Sequence, residues 1–299
     1  LMDDSNSSEY VFPSLRRWVT EDGWVNYNLL SKSKSGLEAF DSVTTHIQTA
    51  DVNSMDAKQA LCFYMNAYNY IVLDAMRKKC LNDHSFRGNL GFIQRASFFF
   101  FTTYVIGGKK MSLYALENNI IRPMKEPRIH FAINCGAFSC PRLSRDPFTP
   151  QTVDKQMDAL ADKFINKDGG VELKENKLYV SAIFKWYSND FKASGGIAKF
   201  IKGYWKGEDF DAGSVKVVAQ KYNWVLNDTM LDPAEEVAEE IEEPLTPTES
   251  SKSSRSKKSS RSRSARSSKK SARIAADVNE KTKPDDKQID QDSVPEDDS

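Results

Sequence analysis

Residues 128–143 concentrate the residue types that could do chemistry. The segment reads RIHFAINCGAFSCPRL and holds one of the three histidines and two of the four cysteines of the 299-residue chain. Three kinds of site suit these types: a thiol–imidazole pair for nucleophilic catalysis, a metal site and a redox-linked cysteine pair. A fourth interpretation assigns no chemistry and sees a strand that ends in a tight turn. The elements that hold the side chains decide between the four.

A catalytic dyad requires His130 and Cys135 to be close in space. The apolar residues 129–134 predict a short strand, along which the two residues lie about 16 Å apart at roughly 3.3 Å per residue. A nucleophile and its base need a separation of about 2.6–3.2 Å. Only a sharp reversal at Gly136 would bring them together. Otherwise Cys135 is a small buried residue at the end of the strand.

The spacing of these residues does not favour a metal site. The pattern His-x4-Cys-x4-Cys lacks the close cysteine pair and the fourth ligand of structural zinc, and we predict no metal and no cofactor. A disulfide between Cys135 and Cys140 is sterically allowed across a turn. Four cysteines do not make a disulfide scaffold, however, and a reducing compartment is the default for such a chain. We therefore expect free thiols.

The role predicted for His130 depends on a helix that precedes it by about sixty residues. Residues 56–77 predict a long central helix, because Gly and Pro are absent and nearly every side is apolar. Asn66 and Asn69 recur on one stripe, and an unpaired buried amide costs on the order of 1–3 kcal/mol. If this helix packs against the strand, both amides meet the imidazole. Asp190 would then orient the ring as carboxylates do in catalytic triads.

The remaining pattern predicts an α+β fold, a single domain of several helices around a small mixed or antiparallel sheet. Beyond the central helix, the predicted elements are a strand and hairpin turn over residues 97–108, a helix from Ser112 to Pro123, a helix from Pro150 to about 169, a hairpin over 171–181, a helix capped by Ser181, a further helix over 197–205 and a strand over 214–220. Glu117 and Arg122 lie in the second half of the helix after Ser112.

Composition divides the chain into a folded domain with two tails. Residues 10–230 are rich in aromatic and aliphatic types, whereas residues 231–299 contain no aromatic residue and too few apolar ones to offset chain ordering. We predict a disordered N-terminus over residues 1–9 and a disordered C-terminal tail. The first ten residues lack the apolar core of a signal peptide, and no stretch is long enough for a membrane span.

Five motifs follow one another in the predicted domain: ALCFYMNAYNYIVL, MSLYALENNIIR, PRIHFAINCGAFSCPRL, FKWYSNDF and KYNWVLND. In this order they resemble the domain of unknown function 547 family, and the resemblance covers about residues 24–228. The positions that the resemblance marks are Asn66, Asn69, Glu117, Arg122, Arg128, His130, Cys135, Ser139, Asp190 and Asn227.

The resemblance limits the cysteine hypotheses and implies no activity. Cys62 stands where the family usually has alanine, so it is no candidate nucleophile, and Tyr64 replaces the usual tryptophan without changing the chemistry. Cys140 stands where the family also accepts serine, which argues against an obligatory disulfide or metal ligand. In plants, similar domains follow coiled-coil or glutaredoxin-like regions, which suits an adaptor or a redox-linked module.

The predicted tail segregates its charges. Residues 235–249 are strongly acidic, residues 252–273 carry ten Lys or Arg and no acid, and the end is acidic again, which leaves a net charge of zero. The basic run, with Lys257-Lys258 and Lys269-Lys270, could bind import factors or acidic partners, and phosphorylation of its serines would cancel its charge. It lacks the aromatic residues that stack on bases, so we predict no specific nucleic-acid recognition. The expected location is cytoplasmic or nuclear.

Two functional hypotheses follow. In the first, the domain is a binding or scaffold module, its partner an unknown protein or small molecule, and a buried Asn–His network fixes helix to strand. In the second, it is a hydrolase or acyl transferase with a pocket centred on His130, with Asn66 and Asp190 in the site, Cys135 as nucleophile and an amide near Gly136 for the oxyanion. We favour the first, because no nucleophile–base pair can be placed without forcing the geometry.

Overall fold

The computed structural model describes residues 12–83, 86 and 97–229. The predicted N-terminal segment 1–9 and the predicted tail 231–299 lie outside these residues. Within them, the α-helices are α1 (Tyr27–Lys32), α2 (Lys34–Thr49), α3 (Ala57–Asn82), α4 (Leu113–Leu116), α5 (Ile129–Ala132), α6 (Val153–Asn166), α7 (Ala182–Trp186) and α8 (Ile197–Tyr204). In the same part of the chain no helix is long and apolar enough to cross a membrane.

Helix α3 is the central element that the sequence predicts, and it runs five residues past the predicted end at Arg77. Asp56 begins it with a reciprocal capping box: its carboxylate accepts from the Gln59 amide at 2.8 Å, and its own amide donates to the Gln59 side chain at 2.9 Å. Met65 and Ala67, in the middle of the helix, are fully buried. The helix therefore gives a fixed frame to the two asparagines on its surface.

Two small sheets accompany the helices, and the α+β prediction is confirmed. Strands β1 (Thr103–Ile106) and β2 (Lys109–Ser112) form an antiparallel hairpin. Strands β3 (Val171–Lys174) and β4 (Lys177–Val180) form a second antiparallel hairpin, and β5 (Lys216–Ala219) joins β4 in parallel. The three-stranded sheet is thus mixed.

The buried apolar side chains form two clusters. The first core surrounds α3 and includes Leu30, Met65, Leu113 and Phe148. The second core lies between α6, α7, α8 and the three-stranded sheet, and it includes six phenylalanines: Phe131, Phe164, Phe184, Phe191, Phe200 and Phe210. The short helix α5 contributes to both, because Ile129 and Ala132 belong to the first core while Phe131 belongs to the second.

The predicted strand over residues 129–134 is wrong, because the segment begins with the helical turn α5. Backbone bonds of helical type run from Phe131 to Arg128 and from Ile133 to Ile129, both at 3.0 Å. The Glu126 carboxylate accepts from the Arg128 amide at 3.0 Å and satisfies a donor of the first turn. A run of four apolar residues does not distinguish a buried strand from a buried helical turn. The extended distance of about 16 Å therefore does not apply.

Two further segments differ from their predicted form. Residues Ser97–Phe101 form a π-helical turn, and the strand begins only at Thr103. The helix capped by Ser112 is regular only through Leu116. It continues as a π-helical turn over Glu117–Ile121 and a 3₁₀ turn over Arg122–Met124. This change of winding sets the directions in which Glu117 and Arg122 project.

Candidate functional site

The His130 imidazole is sealed in the interior and paired with a carboxylate. Its side chain is 1 % exposed, and its Nε2 lies 2.8 Å from Asp190 Oδ2. The ring of Tyr187 stacks on the imidazole, with centroids 4.0 Å apart and planes at 19°. The carboxylate that the sequence analysis suggested as an orienting partner does contact the ring. The stacked tyrosine was missed, although it lies three residues before Asp190 in the same motif.

Arg122 neutralises the carboxylate that His130 contacts. Its Nε donates to Asp190 Oδ2 at 2.7 Å and its Nη2 to Oδ1 at 2.9 Å, a bidentate pair. The guanidinium also lies 5.0 Å from the centroid of the Tyr187 ring and donates to the Asn118 side chain. Burial alone would raise the pKa of Asp190, but the hydrogen bonds from His130 and Arg122 outweigh it and hold that pKa well below its usual value.

These contacts join the two cores. Arg122 follows Ile121, which is fully buried in the first core, and Asp190 precedes Phe191, which is fully buried in the second. His130 lies on α5, the helical turn that contributes to both cores. The three charged or polar side chains therefore form a link across the boundary between the two cores.

The asparagines of α3 do not hydrogen-bond to His130, and this prediction is wrong. Asn69 instead donates to the carbonyl of Ala132 at 2.9 Å and accepts from the amide of Asn134 at 2.8 Å. Asn66 holds the backbone of Phe148 in the same way, with both bonds at 2.9 Å. Each side-chain amide supplies hydrogen bonds to backbone groups that have no backbone partner in an irregular segment. The segment after α5 is thus fixed to the central helix through its main chain.

A small recess lies beside these asparagines and away from the Asp190 carboxylate. Its lining residues are Leu15, Asn66, Asn69, Tyr70, Leu143, Ser144, Asp146, Pro147 and Phe148. The recess has room for about one water molecule. The recess is therefore too small to hold a substrate.

Glu117 is buried among tyrosines. Its Oε2 accepts from the Tyr68 hydroxyl at 3.3 Å, whereas its Oε1 is buried without a partner among the described residues. Burial first, and the charge of Glu117 second, raise the pKa of Tyr68 and of Tyr187 well above the usual value. Both phenols therefore stay protonated, and Tyr68 is the donor to Glu117.

Cys135 and Cys140 form a disulfide, which corrects the expectation of free thiols. Their Cα atoms lie 6.5 Å apart, within the usual range for a disulfide. Gly136 adopts φ +82°, a left-handed conformation that turns the chain so that the two sulfurs meet. The Tyr222 hydroxyl lies 3.3 Å from Cys135 Sγ and 3.1 Å from Cys140 Sγ. The side chain next to Cys135 is thus a tyrosine that the sequence analysis missed, and a sulfur bonded in this way is no nucleophile.

Cys62 and Cys80 are buried, and neither forms a disulfide. Burial raises the pKa of Cys62 to about 12. At neutral pH this thiol is protonated and unreactive. Among the described residues, no group of three His, Cys, Asp or Glu side chains has the arrangement of a metal site.

The other residues that the family resemblance marks support the loop or the surface. Ser139 Oγ accepts from the backbone amide of Asn223 at 2.8 Å. Asn227 accepts from the Tyr27 hydroxyl at 3.0 Å. Arg128 lies at the surface, where its guanidinium pairs with Glu126, Asp154 and Asp158. None of these three touches His130.

Comparisons with known proteins give a match to a family model over part of the chain and indicate no activity. The family model described as "Protein of unknown function, DUF547" matches residues 52–165. This stretch covers α3, Glu117, Arg122, α5 and the disulfide loop, while Asp190 and Tyr222 follow it. No curated protein and no solved structure matches the chain.

Proposed function

We propose that this chain, whose residues 52–165 match the DUF547 family model, is a binding or scaffold module rather than an enzyme. The observation that carries the proposal is the state of His130: the imidazole is sealed, and its Nε2 is engaged by a carboxylate that Arg122 already neutralises. Such a group stabilises the packing of two cores and is closed to a substrate.

The alternative hydrolase or acyl transferase requires a nucleophile within reach of the base. The Asp190–His130 contact resembles the carboxylate–imidazole pair of a triad, and this is the one feature in its favour. Cys135, the candidate nucleophile, is bonded to Cys140 and contacts Tyr222. A general base must also reach the proton that it abstracts. A ring that is 1 % exposed and covered by Tyr187 does not meet that requirement.

Assays of acyl transfer test the non-catalytic part of this proposal. The full chain, reduced and oxidised, is offered ester, thioester and peptide substrates beside the His130→Ala variant. We expect both proteins to match the rate without protein, because no nucleophile faces the imidazole. Turnover that depends on His130, or an acyl adduct on Cys135 found by mass spectrometry, would refute the proposal.

The binding part is tested by comparing partners of the folded proteins. Crosslinking in cell extract identifies proteins captured by the full chain and by His130→Gln, which keeps a polar side chain of similar volume in the interior. We expect the same set for both at a temperature where circular dichroism shows His130→Gln to be folded. Capture of no protein beyond that of the affinity tag alone would count against a scaffold.

The basic run 252–273 supplies a second contact surface in this proposal. Ten positive charges alternating with serines suit an import factor or an acidic partner, and they support a location in the cytoplasm or nucleus. Replacing Lys257, Lys258, Lys269 and Lys270 with alanine should lower the nuclear fraction of a fluorescent fusion. Replacing four serines of the same run with alanine is the matched control. An equal distribution of the three fusions would remove this part of the proposal.

A further inference from the structure

The disulfide loop carries features that a purely structural crosslink does not need. Cys135 is partly exposed, whereas Cys140 is 5 % exposed. The two cysteines of one disulfide are thus unequal in exposure. An attacking thiol reaches Cys135 first.

The buried sulfur is surrounded by donors. Cys140 Sγ accepts from the backbone amide of Cys135 and from the Tyr222 hydroxyl, each at 3.1 Å. Hydrogen bonds to a sulfur stabilise negative charge there, and a better-stabilised thiolate leaves faster in exchange. Burial, and then the charge of Glu117, raise the pKa of Tyr222 above its usual value, so the phenol remains a donor.

The loop is held in place independently of the disulfide. Asn134 brackets it, because its Oδ1 accepts from the Gly136 amide and its Nδ2 donates to the Pro141 carbonyl, both at 2.7 Å. Backbone bonds from Phe138 to Val225 and from Ser139 to Asn223 fix its middle. The loop can therefore hold the two cysteines side by side in both redox states.

From these three observations we infer that Cys135 and Cys140 form a redox-active pair that exchanges with thiols. The thiolate of a low-molecular-weight thiol attacks Cys135 Sγ, a mixed disulfide forms there, and the electron pair of the broken bond stays on Cys140 Sγ. A second thiolate attacks the small-molecule sulfur and releases Cys135. Two electrons pass from two thiols, which leave as their disulfide, and their two protons go to solvent or to the protein sulfurs.

Mapping the attacked sulfur tests this directionality. The full chain is treated with reduced glutathione, quenched with an alkylating agent and mapped by mass spectrometry under conditions where circular dichroism shows the fold intact. We expect reduction of the folded protein, a stable glutathione adduct on Cys135 in Cys140→Ser treated with oxidised glutathione, and little adduct on Cys140 in Cys135→Ser. A disulfide that resists reduction until unfolding, or an adduct that favours Cys140, would overturn the inference.

Tyr222→Phe tests the donor. It keeps the ring and removes one hydrogen bond to the leaving sulfur, and should slow reduction by glutathione roughly tenfold. The matched control is Tyr114→Phe, which removes the hydroxyl of an exposed tyrosine on α4. Equal rates for Tyr222→Phe and the control would contradict the role of Tyr222. If Tyr222→Phe fails to fold, the map of the wild-type chain and of the two serine variants still decides the inference.

Discussion

The helical turn Ile129–Ala132 and the loop Cys135–Cys140 are separated by only two residues, yet the environments of their polar groups differ. In the turn, His130 is sealed and its charge partner is neutralised by Arg122. In the loop, Cys135 is partly exposed, whereas the sulfur of Cys140 accepts hydrogen bonds from two donors. The main chain of the loop is held by the side-chain amide of Asn134. The turn is built for packing between two cores, and the loop is built to keep its shape while its sulfurs change.

The largest effect is expected from removing the carboxylate that links the two cores. Asp190→Ala leaves Arg122 and His130 without their partner and should lower the free energy of unfolding by roughly 3 kcal/mol, toward the lower end of the range for a buried pair because Asp190 and Arg122 are about a quarter exposed. Urea denaturation measures the change.

The matched control is Asp209→Ala, since that carboxylate is 89 % exposed and pairs with Lys202 at the surface. We expect its free energy of unfolding to stay near that of the wild type. Equal losses for the two variants would mean that the link between the cores contributes no more than a surface ion pair.

The next effect concerns the bond between α3 and the turn. Asn69→Ala leaves the Ala132 carbonyl and the backbone amide of Asn134 unpaired in the interior, and should lower the free energy of unfolding by about 2–3 kcal/mol in urea denaturation. Asn28→Ala is the control, because its side chain is exposed on α1. A loss for Asn69→Ala no larger than for Asn28→Ala would show that the amide does not fix the segment.

Reduction of the disulfide should have a smaller effect and leave the fold intact. Closing so short a loop stabilises a chain by roughly 2 kcal/mol, and Asn134 still brackets the loop after reduction. Near-ultraviolet circular dichroism of the reduced chain should match that of the oxidised chain, with a modest fall in thermal midpoint. Loss of the near-ultraviolet signal on reduction would contradict the claim that the loop keeps its shape without the disulfide.

The smallest effect is a change in pH dependence. The pKa of Asp190 is lower in the folded chain than the unfolded value of about 3.9. Its contribution to stability is therefore complete above about pH 5 and is lost as the pH falls through the folded value. Asp190→Asn should reduce the slope of stability against pH below about pH 5. Parallel curves for mutant and wild type would contradict the assigned cause.

Local sequence signals predicted much of the fold, because the deciding physics is local. The absence of Gly and Pro through α3 and the alternation of residues 171–180 each predict the element that forms. The four apolar residues of α5 carry no such signal. Their helical turn depends on the hydrogen bond from the Arg128 backbone amide to the Glu126 carboxylate and on cores formed by distant segments.

The site was predicted in part, for a similar reason. Residue type and spacing marked His130 and Asp190, but the partners of Asn66 and Asn69 are backbone groups, and any backbone segment can serve as one. Nor does the cysteine spacing reveal the donors on Cys140, since Tyr222 lies more than eighty residues away along the chain. Contacts between side chains distant in sequence follow from the tertiary packing.

The central claim, that Arg122 and Asp190 link the two cores, is tested most directly by a double-mutant cycle. The free energies of unfolding of wild type, Arg122→Ala, Asp190→Ala and the double variant are measured in urea at neutral pH. We predict a coupling energy of about 1–3 kcal/mol, with the double variant less destabilised than the sum of the single variants. A coupling energy of zero would contradict the account.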